Sequence, residues 1–222
     1  MKPSLPLSAT IAMACLGLGT RAATAQVEVQ VFLGSAASLP LPATVTQAGE
    51  ADIHFTAKWA TRPRNPTWYY AWRVGLWKGD RGWRLDHTHH KLYLKNPPPT
   101  IETLRITNGF NIVTVSRAFR QRHLSYSLGA GPVITYPIST IRGKRYDHDG
   151  GWNGYFISGG SLMGMATREF PITGRLALGL DVRGSASYVR VPVVDGHASV
   201  PNMAMHFHAG LGYRLGKARG AP

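Results

Sequence analysis

The chain has 222 residues with 25 Gly, 15 Pro, a single Cys and a formal charge of +14. So much Gly with only 16% charged residues favours strands and turns over a helical bundle. Cys15 falls in an export leader, so disulfides and thiolate metal sites are excluded from the mature chain. In an exported protein the positive charge points away from nucleic acid and towards an anionic membrane surface such as phosphorylated lipopolysaccharide, with a solvated basic surface as the alternative.

The leader is the first predicted element. Lys2 gives a positive start, and residues 9–18 form an apolar stretch too short to span a bilayer as a helix. Ala23, Thr24 and Ala25 fit the small-x-small rule for cleavage before Gln26. Acylation of Cys15 is the competing reading, but the apolar stretch continues past Cys15 and Ala12 stands where Leu is preferred. Residues 26–50 come next. Val27, Val29, Val31 and Leu33 form either a short strand or a segment lying against the main body, and a Pro-containing link follows.

From residue 51 onward eight runs with period-two patterning can be drawn, each ended by a turn: 51–60, 68–78, 82–94, 103–120, 122–137, 152–168, 174–190 and 202–215. In 202–215, Met203, Met205, Phe207, Ala209, Leu211, Tyr213 and Leu215 share one face, while His206, His208, Gly210 and Gly212 take the other. Leu124, Tyr126, Leu128 and Ala130 alternate with Ser125, Ser127, Gly129 and Gly131 in the same way. A large apolar face opposite a small polar one suits a strand between lipid and a narrow lumen. Short connections at Gly79 and Asp80, near Gln121 and at 170–173 alternate with longer ones at 61–67, 95–102, 138–151 and 191–201. Trp68, Trp72, Trp77, Trp83, Tyr93 and Tyr136 gather near run ends, as aromatic girdles do. The pattern predicts an all-β fold: an eight-stranded antiparallel transmembrane β-barrel over 51–215 with a basic tail at 216–222, in a Gram-negative outer membrane. A soluble sandwich with aromatic core residues is the alternative.

The densest polar cluster is Asp86-His87-Thr88-His89-His90-Lys91. Alternation sets Arg84, Asp86, Thr88 and His90 on one face and His87, His89, Lys91 and Tyr93 on the other. Two imidazoles at i and i+2 can share a divalent metal, so His87 and His89 are the candidate ligands; His206 and His208 qualify as further ligands only if the faces agree. Asn108 and Asn111, in a second polar group around Gly109, could bind a headgroup. Arg142, Lys144 and Arg145 in a predicted outer loop suit phosphate. An ester hydrolase would need a Ser beside a His and a carboxylate; His123-Leu124-Ser125 and His197-Ala198-Ser199 are the candidate strings, and no Gly-x-Ser-x-Gly occurs.

Three stretches resemble outer-membrane barrel proteins of the lipid A oxidase type: 66–73, 82–93 and 107–115. Asp86, Thr88, His89, Lys91 and Tyr93 match that family's acidic-x-Thr-His-x-Lys-x-Tyr string; Gly109 and Asn111 match Asp-Gly-x-Asn, with Asn108 in the Asp place; and Gly129-Ala130-Gly131 matches a third string. The resemblance implies oxygen-dependent oxidation of the lipid A proximal sugar with a divalent metal, and makes Asp86, His89 and Lys91 the first catalytic candidates, with Tyr93 among the lipid-binding ones. With a rise of ~3.3 Å per residue and a ~45° tilt, His89 stands about 15 Å and Lys91 about 20 Å above Trp83, in the outer half of the bilayer. Enzyme or not stays open at this stage: a non-enzymatic barrel with a structural or surface-binding role accounts for the same pattern.

Overall fold

The computed structural model describes residues 26–65, 67–148 and 152–215. The expected leader over 1–25 and the basic tail from 216 lie outside the described residues. The strands are β1 (Gln26–Ser38), β2 (Leu41–Gln47), β3 (Ile53–Ala57), β4 (Trp59–Ala60), β5 (Tyr70–Lys78), β6 (Arg81–Leu94), β7 (Ile101–Gln121), β8 (Leu124–Ile141), β9 (Lys144–Tyr146), β10 (Phe156–Pro171), β11 (Leu176–Val193) and β12 (Gly196–Leu215). Eight of them close a ring in the order β1-β5-β6-β7-β8-β10-β11-β12, and β12 pairs back to β1. Every pairing in the ring is antiparallel. Closure leaves no edge strand, so backbone donors and acceptors are satisfied within the wall.

The membership of the ring differs from the expected one. The first barrel strand is β1, whose Val31 and Leu33 face outward while Glu28 and Gln30 are buried inside. The run at 51–60 instead supplies β3 and β4, and β3 pairs only with β2. A tilted membrane strand needs about 9–11 residues, and β3 is too short to cross. The expected loop at 191–201 is also strand: β11 and β12 run on together to a tight turn at Val194 and Asp195, with Asp195 in the left-handed region at φ 57°.

Tight turns at Gly79 and Asp80, at Arg122 and His123, and at 172–175 gather at one end, where β1 begins and β12 ends. The longer connections lie at the other, together with the tight turn at Val194 and Asp195. This asymmetry identifies the tight-turn end as periplasmic.

Below the outer lobe the barrel is inside-out. Leu76, Trp83, Leu128, Leu162, Leu180, Phe207 and Leu211 are exposed on its outside; Phe207 is 54% and Leu211 50% exposed. The lumen is filled by charge. Arg73 Nε donates to Asp86 at 2.5 Å and its Nη2 to Asp181 at 3.0 Å. Arg183 Nε donates to Asp181 at 2.5 Å, and Ser116 donates to the other Asp86 oxygen at 3.0 Å. Large apolar side chains turned outward around an interior of paired charges need hydrocarbon as their surroundings. The protein is an integral β-barrel of the outer membrane.

Towards the outer end the polarity reverses along the same strands. Leu92, Ile106, Phe110, Ile112, Val133, Val189, Val191 and Val200 point inward and pack with Val45 of β2 and Trp59 of β4 into one apolar core. The outer third is therefore a water-facing lobe built like a soluble sandwich.

Candidate functional site

The outward face of the wall carries a polar site, with His89 only 2% exposed. Cross-strand pairing builds a row running Leu33, Tyr70, His89, Asn111, Ile134. Alternation puts His87 and His89 on one face, as expected, and that face is the outward one; Asn111 reaches both, its Oδ1 lying 2.8 Å from His89 Nδ1 and 3.2 Å from His87 Nε2. A carboxamide oxygen only accepts, so each imidazole donates to it through that nitrogen and carries its lone pair on the other. Those other atoms, His87 Nδ1 and His89 Nε2, are buried without a hydrogen-bond partner. Tyr70 stacks on His89 with centroids 5.0 Å apart, and Trp72 stacks on His87 at 5.3 Å.

Local backbone geometry places Asn111. Gly109 sits at φ 149°, where the β7–β8 register slips between Ile106 and Phe110. A β-carbon at 109 would run into the Asn111 carboxamide, so only glycine leaves room for it.

The remaining candidates separate from this centre. Asp86 lies on the lumen face, bonded to Arg73 and Ser116, and the barrel wall divides it from His89; the expected grouping of Asp86 with His89 and Lys91 is not formed, because odd and even positions of a strand point oppositely. Lys91 faces outward, but its ammonium donates to the carbonyls of Arg62, Asn65 and Thr67 at 3.2, 2.8 and 2.8 Å. All three of its donors are used in pinning the connection before β5 against the wall. Tyr93 lies beside it, with the Arg62 guanidinium 4.6 Å from its ring centroid. Asn108 contributes its backbone carbonyl to the Tyr155 hydroxyl at 2.8 Å.

The three loop cations sit at the tip of the outer lobe, each with an internal partner. Arg142 donates to Gln47 at 2.8 Å and to the Ala51 carbonyl at 2.7 Å. Lys144 pairs with Asp195 and Arg145 with Asp147, both at 2.8 Å. The Asp195 carboxylate, by its hydrogen bond and its charge, holds Lys144 above the usual amine range.

A divalent metal finds an incomplete donor set. His206 and His208 line the lumen, so they cannot join His87 and His89. Among the described residues no three His, Cys, Asp or Glu side chains converge. Two imidazoles and one carboxamide, without a carboxylate, do not make the three strong ligands a resident metal needs, and the chemistry below runs without one.

Two groups escaped sequence reasoning. One is the aromatic backing of Tyr70 and of Trp72, the latter assigned to a girdle from the sequence. The other is a lumen cluster: the Tyr69 hydroxyl bonds His206, Ser185 Oγ lies 2.8 Å from His206 Nε2, and the His90 ring sits 5.1 Å from that of His206. The hydrolase strings form no triad: Ser125 accepts from Arg84 at 2.8 Å inside the barrel, and the His197 ring lies 2.7 Å from Arg190 Nη2 on the lobe.

No protein-family model matches the chain, and no curated protein matches it. Among solved structures it is similar to Neisserial surface protein A (12% identity, 86% of this chain and 97% of that one, TM-score 0.40). It is also similar to the outer-membrane protein OprG from Pseudomonas aeruginosa (10%, 87% and 97%, TM-score 0.45) and to the outer-membrane protein AlkL determined in DMPC bilayers (9%, all of both chains, TM-score 0.46).

Proposed function

We propose that this protein is a lipid A-modifying outer-membrane barrel whose chemistry is done at the bilayer face by His87, His89 and Asn111. One observation carries the reading: two imidazoles on the outward face of the wall are locked on a shared carboxamide, each with a buried, unpartnered nitrogen, and His89 stands in the row between Leu33 and Ile134. Polar groups at that depth are costly and are kept for use. A substrate reaching them must itself lie in the bilayer, and about 15 Å above Trp83 that is the level of the outer-leaflet glycolipid.

In this reading a lone-pair nitrogen of His89 or His87 takes a proton from a sugar hydroxyl of the lipid as general base, and Asn111 fixes which nitrogen is available. Tyr70 and Trp72 hold the rings flat against the wall. Lys91 acts at one remove, keeping the 61–67 connection in place beside the site.

The test is mass spectrometry of lipid A from strains carrying wild-type protein, a deletion, His89→Ala or Asn111→Ala. A mass difference between wild type and deletion, lost in both variants while heat-modifiable migration of the barrel persists, is the expected result. Identical lipid A in wild type and deletion would retire the enzymatic reading. That outcome favours a structural or surface-binding barrel, which Lys91, Lys144 and Arg145, each with an internal partner, would then serve as braces.

A further inference from the structure

At the periplasmic end of the bilayer face a second feature stands apart from the histidine site. A cavity of about 410 Å³ is lined by Leu76, Trp77, Lys78, Arg81, Gly82, Trp83 and Arg117. Its floor is apolar: Leu76 and Trp83 face each other across β5 and β6, and both are exposed to the lipid side. Its rim is cationic. Lys78 pairs with Arg81 across the tight turn, and Trp83 pairs with Arg117 on β7.

Arg117 is the unusual member. Its row continues to Leu128, so a guanidinium lies among Leu76, Trp83 and Leu128 on a surface that meets hydrocarbon. It stands two residues, about 5 Å, deeper in the bilayer than Arg81. A cation on the lipid face is unfavourable unless something neutralises it. Among the described residues nothing does: Arg117 Nη1 donates only weakly to the Gly82 carbonyl at 3.4 Å, and its guanidinium rests over the rings of Trp83 and Phe119 at 5.3 and 5.6 Å. Among the described residues Lys78, Arg81 and Arg117 make no ion pair. The acid of the turn, Asp80, is engaged elsewhere.

We infer that this cavity binds one anionic phospholipid of the periplasmic leaflet. The phosphate bridges Arg117 to Arg81 and Lys78, and an acyl chain lies along Leu76 and Trp83. Stacking on Trp83 and Phe119 holds the guanidinium plane ready for a bidentate phosphate contact. Apolar floor and cationic rim together require an amphiphile: inorganic phosphate would leave the floor empty, and a zwitterionic lipid would leave net positive charge on the rim.

The test is native mass spectrometry of the full-length barrel in mild detergent, titrated with phosphatidylglycerol, phosphatidylcholine or inorganic phosphate. With each basic side chain near a membrane surface contributing on the order of a fivefold gain, the wild type should retain phosphatidylglycerol roughly 10-fold or more over phosphatidylcholine. The triple variant Lys78→Ala, Arg81→Ala, Arg117→Ala should lose the preference. Arg117→Met, close in volume and safe for the fold, should lower it by itself. Lys144→Ala, at the opposite end, should leave it unchanged. Equal retention of the two lipids by the wild type, a preference surviving in both rim variants, or displacement of the lipid by millimolar phosphate would each overturn the inference.

Discussion

The same strands build two regions that obey opposite rules. In β11, Leu178, Leu180 and Val182 face outward and Asp181, Arg183 and Ser185 inward; a few residues on, Val189, Val191 and Val193 face inward and Arg190 outward. β12 makes the same exchange in reverse order, with Ala198 and Val200 inside the lobe and Met203, Met205 and Phe207 outside the barrel. The chain does not change its pleat; the apolar residues change parity. Where lipid is the surroundings, burial of apolar surface is achieved outside and the interior must satisfy its own charges. Where water is the surroundings, the interior is the apolar phase. The histidine site lies where this change begins, since Ile112 of the apolar core pairs with Thr88 one residue below His89, and its unpartnered nitrogens are buried, while the loop cations on the water side form ordinary surface ion pairs.

The largest break comes from the lumen. Asp181 accepts from Arg73, Arg183 and Thr167, all fully buried. Asp181→Ala leaves two guanidiniums sharing Asp86 and should cost about 3–5 kcal/mol, read from urea unfolding in lipid vesicles by tryptophan fluorescence. A loss below ~1 kcal/mol would mean that water, not the carboxylate, balances those charges. Next is a matched pair on one face of β11. Leu180→Lys puts an ammonium into hydrocarbon and should cost about 2–4 kcal/mol near the midplane. Arg190→Leu, on the same face ten positions along, should stay within ~0.5 kcal/mol because that surface meets water. Equal costs at the two positions would remove the distinction between the regions.

Much of this was legible beforehand. The alternation of 202–215 and 124–131 reports the lipid face directly, and simple parity sent Asp86 and His89 to opposite sides. The parity change at Val189 was also written in the chain, but Pro192 and Gly196 read as loop chemistry, and short strands outside a membrane look like the ends of longer ones. Two things had no local signal. Ring membership of β1 depends on pairing 27–38 with 204–215, a contact between distant ends of the described chain. The meeting of Asn111 with His87 and His89 depends on cross-strand register, set by one bulge at Gly109. Lys91 could not be read as a brace, because its three acceptors are backbone carbonyls, invisible in side-chain patterning.

The smallest effect expected lies on the water side. Lys144 and Asp195 tie β9 to the β11–β12 turn through an exposed pair. Lys144 holds its proton more tightly in the folded lobe than in the unfolded chain, where its pKa is near 10.5. The sign follows: the pair's contribution is complete below that value and is lost as pH rises through the higher folded one. Cleavage of the 142–148 loop by an alkaline-tolerant protease should therefore differ between wild type and Lys144→Met by a constant small factor up to about pH 10, then converge. Convergence already between about pH 6 and 8, where Lys144 keeps its proton, would mean that the bond does not govern the loop at all. The lobe would then be held by its apolar interior alone, as a soluble sandwich is, sharpening its contrast with the charge-filled barrel below.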